Sequence, residues 1–229
     1  MIPISTKTEI EAYLAESFRT RYKRKDVNIT GILFARPELK ATQDQVLPNL
    51  DHWNYRSDYY TEFFCVGFTC YPPPSQRAAA SVVTVAGTQW YFSAAAFNEV
   101  LVEIETQTNW RYRSGCYLVI TNSRYDAQTQ RAYLDFRHAM SVDIARAVSS
   151  GAVESADELA ERMFEFAKKI NEGQTSDPVW EFSDTVGLVL LKKSLIDHLV
   201  DLLPTLAKAV FRRGENFVVQ ELTPSATSS

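Results

Sequence analysis

Glycine is scarce in this chain, with eight in 229 residues. Neither G-x-x-x-x-G-K-[ST] nor G-x-G-x-x-G occurs, so the sequence encodes no glycine-rich cradle for a nucleotide phosphate. Histidine and cysteine are sparser still, three of each. There is no H-E-x-x-H and no G-x-S-x-G elbow, and Cys65 and Cys70, separated by four residues across a strand, are not read as a zinc pair. The odd count of Cys65, Cys70 and Cys116, each set in apolar or aromatic sequence, predicts reduced, buried thiols in a cytoplasmic protein. No run approaches the roughly 18 apolar residues of a membrane-spanning helix. The opening Met-Ile-Pro-Ile-Ser-Thr-Lys lacks the basic and apolar blocks of a signal peptide. A net charge of −4 excludes a surface built wholly to hold nucleic acid, while leaving room for a local basic patch.

What remains is an ordinary globular composition, 45% hydrophobic and 23% charged. A chain of this size buries roughly 70% of its unfolded surface, so it needs no metal or disulfide staple. One domain is expected over residues 1–222, with 223–229 (Thr-Pro-Ser-Ala-Thr-Ser-Ser) a disordered tail. Ile10, Tyr13, Leu14 and Phe18 have helical spacing behind a Thr8–Glu11 capping box. Strands are expected at Val27–Phe34, Glu62–Phe68 and Leu118–Thr121, and a hairpin around Gly87. Pro48 should end or kink a helical stretch beginning near Leu39. Ser93 should cap a helix carrying Phe97, Val100, Leu101 and Ile104. Leu134–Phe136 reads as a short strand. Residues 141–204 read as three helices, the first starting at Ser141, the second capped by Ser155 and Glu158 with Leu159, Met163, Phe166, Ala167 and Ile170 inward, the third near 183–204. A last strand is expected at Phe217–Leu222. Together these predict an α/β fold, a mixed sheet covered by helices.

One feature repeats. W-x-Y-R-S-x-x-Y occurs at Trp53, Tyr55, Arg56, Ser57 and Tyr60, and again at Trp110, Tyr112, Arg113, Ser114 and Tyr117. Each copy leads into a strand, which suggests two related strand–helix–strand units, at about 27–68 and 81–121. Structurally, the tryptophans and tyrosines would anchor the approach to a strand and the arginines would pair with carboxylates. Functionally, Trp, Tyr and Arg are the residues of interface hot spots and of base-stacking platforms.

The string from Trp53 through Tyr55-Arg56-Ser57 to Phe63-Phe64-x-x-Gly67-Phe68 resembles segments of uncharacterised α/β proteins encoded in bacterial anti-phage or conflict operons. Trp110-Arg111-Tyr112 adds to that likeness. The resemblance covers about a third of the chain and carries no catalytic motif. It implies a cytoplasmic accessory or effector that works with another protein of the same operon.

Three functional classes follow. The first is a non-enzymatic partner-binding subunit or sensor, using Trp53, Tyr55, Arg56, Trp110, Tyr112 and Arg113, with no cofactor. The second is a nuclease or other phosphoester hydrolase holding magnesium or manganese. Its candidates are Asp26 with Glu38-Leu39-Lys40, or Asp126, Asp135, His138 and Asp143, which with Asn122, Arg124 and Arg137 follow two strands that could be neighbours and would gather on one edge for acid–base or phosphate chemistry. The third is a nucleic-acid module using the cations Arg19, Arg21, Lys23, Arg24 and Lys25, which otherwise serve as a solvated helix end.

Overall fold

The computed structural model describes residues 1–22, 26–57, 60–73, 81–151, 153–171, 219–222 and 224. The chain opens with β1 (Ile2–Ile4), α1 (Lys7–Thr20) and β2 (Val27–Phe34). A π-helical turn at Thr42–Val46 and a 3₁₀ turn at Leu47–Asn49 then lead into α2 (Leu50–Ser57). Pro48 sits in the first turn of that 3₁₀ segment, where its missing N–H costs nothing, and the helix resumes behind it. Next come β3 (Glu62–Val66), β4 (Phe68–Thr69), β5 (Val83–Val85), β6 (Thr88–Phe92) and α3 (Ala94–Gln107). The remaining elements are β7 (Tyr117–Asp126), β8 (Arg131–Asp143), α4 (Ile144–Ser149), α5 (Ala156–Asn171) and β9 (Val219–Leu222).

Six strands form one sheet in the order β1-β3-β2-β7-β8-β9. The β1–β3 and β3–β2 pairs are parallel, and β2–β7, β7–β8 and β8–β9 are antiparallel. The fold is therefore α/β with a mixed sheet, as the alternation of strand and helix patterns predicts. β2 lies between two strands, and its run of Ile29, Thr30, Gly31, Ile32, Leu33 and Phe34 is buried on both faces, as a central strand must be. Its odd-numbered side chains face α2, α4 and α5, joining Trp53, Phe63, Leu118, Met163 and Phe164. Its even-numbered side chains face α1 and α3, joining Leu14, Phe18, Phe64, Phe97 and Trp110.

A smaller sheet, β4-β6-β5, hangs from the end of β3. Its hairpin turns on Ala86 and Gly87, both at positive φ (48° and 75°), the two-residue geometry whose twist matches the strands. Among the described residues no helix is long and apolar enough to cross a membrane.

Several expectations change. α1 starts two residues early: Thr6, not Thr8, is the cap, and it forms a reciprocal box with Glu9. The Glu9 carboxylate takes the amides of both Ser5 and Thr6, which fixes that register. Ser141 starts no helix. It lies in β8 between Val119 of β7 and Gln220 of β9, and ladder pairing on both sides overrides its capping propensity. The helix begins after Asp143, whose carboxylate accepts the Arg146 amide. The strand expected at Leu118–Thr121 runs on to Asp126, so Asn122, Arg124 and Asp126 are part of β7 rather than a loop after it. Cys65 and Cys116 are buried, but Cys70 is exposed. Burial pushes both buried thiols up to about 12. Ser155 caps α5 as expected, and Leu159, Met163 and Ala167 are buried along it together with Phe164, while the side chains of Phe166 and Ile170 lie outside the described residues. The third late helix and most of the C-terminal tail lie outside the described residues. Within the tail, Pro224 bridges Thr108.

Candidate functional site

The two repeated strings have different structures. The first is helical: Trp53, Tyr55, Arg56 and Ser57 lie on α2. The second is irregular, from Trp110 to Cys116, with Ser114 at φ 49°. The two are therefore not equivalent, and they pack on opposite faces of the sheet. The units also differ. β2–α2–β3 joins adjacent parallel strands, whereas β6–α3–β7 starts in the small sheet and ends in the large one.

Both tryptophans are buried, for separate reasons. Trp53 packs on Phe63 and its indole N–H donates to Asp157 of α5 at 2.8 Å. Trp110 fills the angle between Phe34, Tyr112 and Tyr117. The second string is held by its own backbone. Arg111 donates to the carbonyls of Glu105, Thr108 and Trp110, closing the end of α3, and Glu105 accepts the Tyr112 amide at 2.6 Å. The Tyr112 hydroxyl donates to the Gly115 carbonyl, and burial pushes that phenol up to about 12. Arg113 is exposed.

The first string makes a fixed platform. Arg56 grips Glu161 of α5 through Nε at 2.9 Å and Nη2 at 2.7 Å, with His52 on the same carboxylate at 3.1 Å. The Arg56 hydrogen bonds hold Glu161 below the usual carboxylate range. Asp51, at the other end of α2, accepts the Ala86 amide from the tip of the small hairpin. Between these ties Tyr55 stands 80% exposed. A rigid helix thus presents one aromatic ring to solvent.

The carboxylate candidates do not converge. Asp126 and Asp143 sit at opposite ends of the β7–β8 ladder, roughly 30 Å apart at about 3.3 Å per residue. Each is engaged close to home, Asp126 capping the turn through Gln128 and Thr129 and Asp143 capping α4. Asp26 and Glu38 lie beyond opposite ends of β2, and Glu38 pairs with Arg36 at 2.6 Å. His138 belongs to β8, and its side chain is outside the described set. Among the described residues no three His, Cys, Asp or Glu side chains gather as they would around a metal ion.

Among the described residues two carboxylates are buried: Glu62, which nothing in the sequence singled out, and Asp135, a candidate metal ligand that pairs with arginines instead. Glu62, at the start of β3, accepts from Ser17 at 2.5 Å and pairs with Arg21 at 3.3 Å, both on the α1 side. Burial, then the Glu62 charge, drives the neighbouring Tyr22 phenol far above its ordinary range. So Arg21 serves a buried carboxylate, while Lys23, Arg24 and Lys25 lie outside the described residues. Asp135, on β8, binds two guanidiniums: Arg124 through Nε at 2.5 Å, and Arg137 through Nε at 2.8 Å and Nη2 at 2.6 Å. Burial pushes the Asp135 carboxyl up, but the hydrogen bonds from Arg137, Arg124 and the Arg137 amide outweigh it and leave it at about 2.

That depression has a sign. The folded value lies below the ordinary 3.8, so the stabilisation is complete above that pH and is lost as pH falls toward 2. Allowing for screening at the exposed Arg137, Asp135 should contribute about 1–2 kcal/mol. Urea midpoints between pH 5 and pH 2 should fall more steeply for the wild type than for Asp135→Asn; parallel curves would remove the assignment.

The chain matches no protein-family model, no curated protein and no solved structure.

Proposed function

We propose that this chain is a non-enzymatic partner-binding subunit, an accessory of a bacterial defence-type complex, and that the outward face of α2 is its docking surface. The observation that carries the reading is Tyr55, a ring 80% exposed on a helix tied down at both ends. Tyrosine contributes large amphipathic area with few rotors to freeze, and a helix already fixed by Trp53–Asp157 and Arg56–Glu161 has little order left to gain on binding. The partner is a protein of the same operon, with an apolar pocket for the ring. The resemblance of the segment from Trp53 to Phe68 to proteins of conflict operons supports the same reading.

The test is co-expression with each product of the neighbouring genes, followed by size exclusion and calorimetry. Tyr55→Ala should weaken the complex by roughly thirtyfold or more, the effect of a hot-spot residue. It should leave the unfolding midpoint unchanged, because the ring buries little within its own chain. Unaltered affinity in this variant, or no complex with any neighbour, sinks the proposal. So would magnesium- or manganese-dependent cleavage of plasmid or RNA that disappears in Glu38→Ala or Asp126→Ala.

A further inference from the structure

One face of the far half of the β7–β8 hairpin packs on α1, with Ala132, Leu134 and Phe136 in the core shared with Leu14 and Phe18, and with Tyr125 stacked on Phe18; the other face changes along its length. Ile120 and Met140, paired with each other, are buried in the core shared with α4 and α5. Further along the same face the character changes. Asn122 stands opposite Asp135, and Arg124 stands opposite Tyr133. Because alternate residues of a strand share a face, these four form one patch, with Arg137 joined to it through Asp135.

Asp135 is buried and gathers both guanidiniums. It engages Nε of Arg124, and Nε and Nη2 of Arg137, so the remaining Nη edges of both stay available as donors. Two cations on one carboxylate leave a net positive charge. The Tyr133 ring is 43% exposed beside them, and the Arg137 side chain is 61% exposed. Asn122 adds a buried amide nitrogen with no hydrogen-bond partner. Further cations lie at the same end of the sheet: Arg131 at the hairpin turn, and Lys168 over the ring of Tyr60, just before β3. Asp126 at the turn and Asp26 just before β2 lie at this end as well, so the net positive charge is local to Arg124 and Arg137 around Asp135.

We infer that this patch binds single-stranded nucleic acid, with a base stacked on Tyr133 and the flanking phosphates on Arg124 and Arg137. Charge alone would fit any polyanion. The exposed ring directly across the ladder from a guanidinium is what favours bases, because every base offers a π-face and an acidic peptide does not. Asp135 fixes the two guanidiniums before any ligand arrives, so little side-chain order remains to be lost on binding. The inference stands apart from the partner reading: it uses neither α2 nor Tyr55, and either can fail alone.

The experiment is fluorescence anisotropy of the full chain with labelled oligo-dT and oligo-rU of about 12 nucleotides, a length within the site sizes of such surfaces. Neutralising the two flanking phosphates gives a salt slope near −1.4, so affinity should fall about sevenfold between ~50 and ~200 mM salt. Tyr133→Ala should weaken binding roughly five- to a hundredfold, and Tyr133→Phe should retain it. Arg137→Gln should weaken binding and flatten the slope by about 0.7. Thermal melting of each variant, matched to the wild type, separates lost binding from lost folding. Absence of wild-type binding overturns the inference. So does binding untouched by both Tyr133→Ala and Arg137→Gln, which would move the contact to the cations before β2. Equal affinity for a poly-glutamate peptide of the same length overturns it as well.

Discussion

Trp110→Ala is expected to lose about 3–5 kcal/mol, a large part of the roughly 5–15 that a domain has to lose. The ring is fully buried and touches Phe34 of the central strand, Tyr112 of its own loop and Tyr117 at the start of β7. Truncation leaves a cavity whose walls cannot close, since Phe34 is fixed in the ladder and Tyr112 is tied to Glu105 and Gly115. Trp53→Ala should cost a similar amount on the opposite face. It also removes the donor to Asp157 and loosens α2 from α5. The two variants then part company in function. Within the folded fraction, Trp53→Ala should lose Tyr55-dependent partner binding, whereas Trp110→Ala should keep it. Urea midpoints measure the first effect and calorimetry with the co-expressed partner the second. A midpoint for Trp110→Ala within experimental error of the wild type would show that the pocket refills.

These two tryptophans also mark how far the sequence could be read. Burial was legible in both, because a tryptophan amid apolar strands has few other places to go. Conformation was not. W-x-Y-R-S is compatible with a helix or with an irregular loop, and its neighbours decide. Pro48 starts a helical segment that carries the first copy into α2, whereas Ser114 at positive φ breaks the second before β7. β2, α1 and α3 were plain from apolar periodicity, and Ser93 caps α3 as its position suggests. β8 was mostly missed, since its central stretch alternates only weakly and Ser141 imitates a cap. The candidate carboxylates failed for a topological reason. Residues that follow consecutive strands share an edge only when those strands run parallel, and β7 and β8 are antiparallel. The same antiparallel register is what brings Arg124, Tyr133 and Asp135 together. Their signal in the sequence is a turn at Asp126–Gln130 flanked by alternating residues, which identifies a patch only once the pairing is known.

Gly67→Ala should be nearly as damaging as the tryptophan truncations, although it adds a single methyl group. Gly67 sits where the chain leaves β3 for β4, passing from the large sheet to the small one. Its N–H donates to Ile4 and its carbonyl accepts from Ser93, both at 2.8 Å, so neither end of the residue can swing away. At φ 79° a side chain is strained whatever the space, by about 1–2 kcal/mol. Here there is no space. An added Cβ would lie 2.7 Å from the Phe97 Cβ and 2.9 Å from the Phe92 ring. The Phe97 Cβ is rooted in α3 and cannot rotate out of reach, so overpacking adds roughly 1–3 kcal/mol. The expected total is about 2–5 kcal/mol. Gly87 supplies the control within the same molecule: its φ is 75°, almost the same, but nothing lies within 4 Å of its added Cβ. Gly87→Ala should therefore cost only the backbone share, about 1–2 kcal/mol. The difference between the two variants in urea midpoint isolates the clash with Phe97 and Phe92. If the two losses are equal, α3 yields to the methyl group, and the junction between the sheets is softer than its hydrogen bonds indicate.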